Sequence, residues 1–202
     1  MTEAASMSAA GLETQSVERS EEKAFGFWIY LMTDAIIFAL LFATYVVMVD
    51  GTAGGPTGRD LFNLPRTFGE TLLLLFSSAT FGFATLAARA RRGKTAILLL
   101  LLTFILGASF VALEMLEFRG MVAMGAGPDR SGFLSAFFTL VGTHGLHVSV
   151  GLICILVLIG QIILKGLTEP VWSRLYRLGL FWHFLDIVWI GIFSIVYLPG
   201  VL

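Results

Sequence analysis

Charge is scarce in this sequence. Of its 202 residues only 13% are charged while 57% are hydrophobic, and the mean hydropathy is +0.88. A water-soluble domain carries about 25% charged residues, so the chain lacks the polar surface of a soluble enzyme and has too much apolar content to stay disordered. Thirteen Lys and Arg against 14 Asp and Glu give a net charge of −1, which leaves no basic face for nucleic acid. Cysteine occurs once, as Cys154 in an apolar run. That excludes a disulfide within the chain and a cysteine cluster for zinc. Residues 1–24 are polar and acidic, with Glu3, Glu13, Glu18, Glu21 and Glu22, and lack the basic start, apolar core and cleavage site by which a signal peptide is read. They read as a loosely ordered polar tail.

Long apolar runs dominate the rest. Five stretches, at Phe25–Val49, Thr67–Ala88, Thr95–Phe118, Phe133–Leu164 and Leu175–Leu198, each exceed the about 20 residues that cross a bilayer as a helix. A helix is the open-ended element whose backbone satisfies itself in lipid. The fourth stretch would run roughly 48 Å and must tilt or project beyond the hydrocarbon. Lys and Arg number nine in the tail, the link between spans two and three and the link between spans four and five, against four in the connections on the other side. The expected fold is therefore an all-α integral membrane protein: residues 1–24 a cytoplasmic tail, residues 25–202 a bundle of five transmembrane helices. The amino terminus is cytoplasmic and the carboxyl terminus periplasmic. No internal repeat is visible, which argues against a transporter built from inverted halves.

Small residues recur four apart at Ser78 and Gly82, Ala84 and Ala88, Ala108 and Ala112, and Gly145 and Ser149. This spacing lets helix backbones approach closely in lipid. More informative are the ionisable residues within the spans, because each is costly in hydrocarbon and tends to be paired or functional. They are Asp34, Glu114, Glu117, His144, His147, His183 and Asp186, with Glu70 near the outer end of span two. Glu114 and Glu117, His144 and His147, and His183 and Asp186 are each three apart, hence on one helix face. The helix rise puts Asp34, His144, His147, His183 and Asp186 at similar depths, as one polar layer near the midplane.

These residues admit several readings. Glu, His and Asp at this spacing suit a helix-bundle metal site, although no Glu-x-x-His occurs. His144 and His183 on two helices suit a haem clamp, whereas His144 and His147, three apart on one helix, cannot take opposite axial positions. The same groups also suit a proton or ion path, or purely structural pairing with one another, with lipid head groups or with a partner. Spacing leaves all of these open.

Three segments carry a resemblance. Gly142-Thr143-His144-Gly145-Leu146-His147-Val148, preceded by Ser135-Ala136-Phe137-Phe138, resembles the fourth-span signature of subunit III of haem–copper terminal oxidases. Trp182-His183-Phe184-Leu185-Asp186-Ile187-Val188-Trp189 resembles its last span, and Glu114-Met115-Leu116-Glu117-Phe118 its Glu-x-x-Glu segment. The resemblance runs from about Phe25 to the carboxyl end. Five spans instead of seven, with Asp50–Gly58 after the first and Gly127–Phe133 before the fourth, look most like the branch of bo-type ubiquinol oxidases. Asp34 stands where many relatives have a carbodiimide-reactive Glu.

The resemblance implies a non-catalytic subunit of a proton-pumping ubiquinol oxidase in a bacterial inner membrane. It implies oxidase subunits I, II and IV as partners, packing on subunit I, a bound phospholipid, ubiquinol through the complex, and a role in supporting stability and proton uptake. Haem and copper belong to subunit I, with no cofactor in this chain. The alternatives are a five-span subunit III serving cytochrome c, and an independent membrane metal-binding or ion-conducting protein.

Overall fold

The computed structural model describes residues 2–201, with side chains from residue 25 onward; 86% of the chain is helical, and no strand occurs among the described residues. The first helix, α1 (Thr2–Met48), is followed by a short turn α2 (Gly58–Leu61) and by α3 (Leu64–Arg89), α4 (Gly93–Ala123), α5 (Gly132–Lys165) and α6 (Glu169–Ile192). A π-helical turn, Phe193–Tyr197, and a last turn α7 (Leu198–Val201) continue α6. Five helices are long and apolar enough to cross a membrane: Phe25–Met48, Leu64–Arg89, Gly93–Ala123, Gly132–Lys165 and Glu169–Val201. The loosely ordered tail expected over residues 1–24 falls on side chains outside the described ones; the backbone there is helical from Thr2.

Helix ends follow local chemistry. Asn63 caps α3 by accepting from the Arg66 amide at 3.3 Å, and Pro65 sits in the first turn, where its missing N–H is no loss. Ser131 caps α5 through the Leu134 amide at 3.2 Å. Gly166, at φ +68°, ends α5 in a conformation that a side chain would strain. Span limits differ most from the sequence reading in α4 and α6. α4 carries Arg119 within the helix and runs on to Ala123, and α6 begins at Glu169 with Pro170 in its first turn. Charged residues end a hydropathy window but not a helix, because long side chains at span ends reach the interface.

The chain divides into two compact units, Met1–Ile36 and Ile37–Leu202. Within the second, α3 packs along α4, α4 on α5, α5 on α6, and α6 back on α3. Trp182 of α6 is wedged among them. A Cβ on Gly107 of α4 would stand 2.9 Å from its ring, and one on Gly151 of α5 would also stand 2.9 Å from it. Two indoles are tied to α3: Trp182 Nε1 donates to Ser77 Oγ at 3.1 Å and Trp189 Nε1 donates to Thr71 Oγ1 at 3.0 Å. The end of α1 packs here as well, with Phe38 against Phe184 and Phe42 against Gly191.

Candidate functional site

The ionisable residues singled out within the spans of the second unit occupy three places. The first lies at the amino-terminal end of α3 and the carboxyl-terminal ends of α4 and α6. Glu114 and Glu117 share one face of α4, and both are buried, as are Glu70 on α3 and Tyr197 in the π-helical turn. Arg66 Nε is 3.4 Å from Glu70 Oε1 and 4.0 Å from Glu117 Oε2, and its guanidinium also donates to the Leu113 carbonyl. Tyr197 hydrogen-bonds Glu117. The Glu114 carboxylate abuts Gly145 of α5. Two carboxylates, Glu70 and Glu117, thus face one guanidinium in a buried setting, where charge interactions are weakly screened. Glu114 lies one turn from Glu117 on the same face. Tyr197 reaches this group from the π-helical turn, a feature frequent at functional sites.

The second place surrounds His144. Its ring is fully buried, stacked on Trp189 at 5.3 Å between centroids and edge-on to Phe110 at 5.8 Å and Phe38 at 6.4 Å. Neither of its ring nitrogens has a hydrogen-bond partner among the described residues. His147, one turn on, is only partly buried. Its Nδ1 lies 2.8 Å from the Thr143 carbonyl, so that nitrogen carries the proton and donates. The two histidines share a helix and differ in surroundings.

The third place is on α6. His183 Nδ1 lies 2.7 Å from Ser78 Oγ of α3 and 3.8 Å from Asp186 Oδ2. Asp186 is buried, whereas the His183 side chain is 47% exposed. Asp34 belongs to the first unit, two residues before its end, and is buried. The single layer expected near the midplane is thus resolved, in the second unit, into an aromatic enclosure at His144 and a polar pair at His183.

Sequence reasoning did not group Glu70 with Glu114 and Glu117, counted Arg66 as a loop cation, and passed over Tyr197. The available signal was the spacing of Arg66 and Glu70, four apart on a helix. No group of three His, Cys, Asp or Glu among the described residues is arranged to hold a metal ion. The aromatic shell of His144 suits packing better than ligation, since metal-bound imidazoles ordinarily donate their second nitrogen to a polar group.

Comparison with known proteins supplies the family. The family model described as cytochrome c oxidase subunit III matches residues 3–201. Cytochrome bo(3) ubiquinol oxidase subunit 3 of Pseudomonas aeruginosa is 56% identical over 178 residues, covering 88% of this chain and 85% of that protein. The protein of the same name from Pseudomonas putida is 55% identical over 179 residues, with 88% and 86% covered. Cytochrome c oxidase subunit 3 of Bacillus sp. strain PS3 is 41% identical over 191 residues, with 95% and 92% covered. The segments around Glu114, His144 and His183 that carried the resemblance are the same segments that build the three polar places, and the chain belongs to the cytochrome c oxidase subunit III family.

Proposed function

We propose that the chain is the non-catalytic subunit III of a proton-pumping ubiquinol oxidase in a bacterial inner membrane. Its amino terminus lies in the cytoplasm and its carboxyl terminus in the periplasm. It packs on the subunit that holds haem and copper, neighbours two further subunits, and binds phospholipid. The carrying observation is the 56% identity to a relative named for ubiquinol oxidation, against 41% to one named for cytochrome c. That second relative supports the competing reading, a five-span subunit serving cytochrome c.

In this reading the chain moves no electrons. Asp34, Glu114, Glu117, His144, His147, His183 and Asp186 serve packing and subunit contact, not metal ligation or proton conduction. The aromatic enclosure of His144 and the ties from Arg66 of α3 to Glu117 and Leu113 of α4 support this, because each joins one helix to another.

The test is purification from native membranes through a tag on this chain, followed by a visible spectrum and oxygen uptake. A haem–copper subunit should co-purify, and oxygen should be consumed with ubiquinol and not with reduced cytochrome c. Uptake driven by cytochrome c would favour the competing reading. A solitary chain, or a stoichiometric haem band in the chain freed of partners, would overturn both. For the topology, a reporter active only in the cytoplasm should be silent when fused after Leu202.

A further inference from the structure

One ionisable side chain of α6 does not turn into the chain's own interior. His183 is 47% exposed, and Ile187 and Ile190, one and two turns further on the same side, are exposed apolar residues. Two helices fix its depth independently. His183 lies 14 residues past Glu169 and 18 before Val201, roughly 21 and 27 Å along its helix. Its partner Ser78 lies 14 residues past Leu64 and 11 before Arg89, roughly 21 and 17 Å along α3. The pair therefore sits near the middle of a hydrocarbon layer about 30 Å thick. An imidazole is too short to reach a head group from there, unlike a lysine or arginine near a helix end.

The ring is held in place. Nδ1 meets Ser78 Oγ at 2.7 Å, and the buried Asp186 carboxylate lies 3.8 Å behind it. With Nδ1 engaged inward, Nε2 is the nitrogen left for a neighbour. Acyl chains offer it no hydrogen bond, and polar groups at this depth are normally turned toward protein. A second feature lies alongside. Gly82, one turn from Ser78 on α3, would meet nothing within 4 Å if it carried a Cβ. Ser78 and Gly82 together leave a shallow flank beside His183, the arrangement that lets another helix approach closely.

We propose that the α3–α6 face carrying Ser78, Gly82 and His183 docks a transmembrane helix of another oxidase subunit, which presents a hydrogen-bonding side chain to His183 Nε2 at mid-membrane depth. This rests on the reading of the chain as a subunit of an oxidase complex. The partner's group is a hydroxyl, amide, indole or carboxyl, since each can bond an imidazole nitrogen without bringing an unpaired cation into the layer. Asp186 acts behind the ring as a positioning residue, keeping Nδ1 turned toward α3.

The experiment uses the assembled complex in native membranes. Benzoylphenylalanine in place of Ile187, one turn from His183, should crosslink on illumination to another oxidase subunit. His183→Leu should lower recovery of the chain with the complex after detergent extraction at least fivefold, and Ser78→Ala about twofold, with the amount of chain in the membrane unchanged. If His183→Leu fails to accumulate, the crosslink alone decides. No protein adduct, an adduct only to a second copy of this chain, or full recovery of an accumulated His183→Leu would overturn the proposal while the oxidase reading stands. Failure of the unaltered chain to co-purify with any oxidase subunit would instead remove the reading on which the proposal rests.

Discussion

The carboxylate of Glu114 lies against the backbone of Gly145: a Cβ on that glycine would stand 2.7 Å from Oε2 and 2.9 Å from Oε1. α4 and α5 meet at this level through that carboxylate. A methyl group there must displace a buried acid that faces Glu70 and Glu117, so the flexibility of the Glu side chain relieves the clash only in part. Gly145→Ala should destabilise by about 1–3 kcal/mol, the usual range for overpacking a filled interior. Gly145→Leu should hold α5 off α4 and loosen the chain from its complex. The temperature at which the chain is released from the detergent-solubilised complex measures both. An unchanged release temperature for Leu would show that this glycine is not a packing point.

Trp182 makes a stiffer contact. Its six-membered ring is held between Gly107 and Gly151, each of whose Cβ positions lies 2.9 Å from it, and its indole N–H is fixed to Ser77 at 3.1 Å. The ring cannot swing away from one glycine without meeting the other helix. Gly151→Ala should therefore cost more than Gly145→Ala, where the opposing group is the end of a flexible chain. Gly151→Ala combined with Trp182→Phe should recover part of the loss, because the smaller ring vacates the space. The same thermal release, run on both single variants and the double, tests this; equal losses for Gly145→Ala and Gly151→Ala would contradict it.

The wedge also marks where the sequence stopped being informative. Five spans were readable because bilayer thickness imposes a length and an apolar composition on each helix independently of its neighbours. The spacing of Glu114 and Glu117 placed both acids on one face, and they do point together. Packing partners were another matter. Ala108 and Ala112 have the spacing of close-packed residues, yet Ala112 is exposed, and the tight approach on α4 is made by Gly107. Which small residue meets a neighbouring helix depends on where the tryptophans of α6 fall, and that is a property of the assembled helices. Likewise, nothing local shows that Arg66 and Tyr197 converge on Glu117 from opposite ends of the sequence.

Arg66 is the guanidinium that faces Glu70 and Glu117. Arg66→Met would leave these two buried carboxylates without that counter-charge. Breaking a buried pair costs about 3–5 kcal/mol; the lower end applies, because the Arg66 side chain is 35% exposed and solvent screens it. The double variant Arg66→Met/Glu70→Gln should be more stable than Arg66→Met alone, since the orphaned charge is removed with its partner. Thermal release again reads the result, and a double variant no better than the single would show that the ion pair is incidental to folding.

Outside the membrane, Asp60 gives a pH signature. The Thr57 amide donates to its carboxylate at 2.9 Å and the Thr57 hydroxyl at 2.8 Å. The backbone bond, then the side-chain bond, hold the Asp60 carboxyl below its ordinary value of 3.8. A carboxyl depressed in the folded state adds stability above its unfolded pKa, and that stability is lost as pH falls through the folded value. The α1–α2 connection should therefore loosen only under acid, below about pH 4. Thr57→Val removes the lesser bond and should raise the Asp60 pKa part of the way back, as read by the carboxyl carbon shift across an acid titration. No movement would show that the hydroxyl does not contribute.

Asp186 separates a structural role from a proton-carrying one. It lies 3.8 Å from the His183 ring nitrogen that also meets Ser78, and it is buried at a depth where a lone charge is costly. Asp186→Asn keeps a polar, hydrogen-bonding group of the same shape but cannot release a proton. Asp186→Leu keeps neither, and losing the buried hydrogen bonding should cost about 1–3 kcal/mol. If the residue holds His183 against α3, the Asn variant should assemble normally and retain oxygen reduction and proton pumping within about twofold, while the Leu variant dissociates. Pumping and oxygen uptake measured together in reconstituted vesicles decide it. Intact oxygen reduction with pumping abolished in the Asn variant would assign Asp186 to a proton path, since the fold and the hydrogen bonding would both have survived the change.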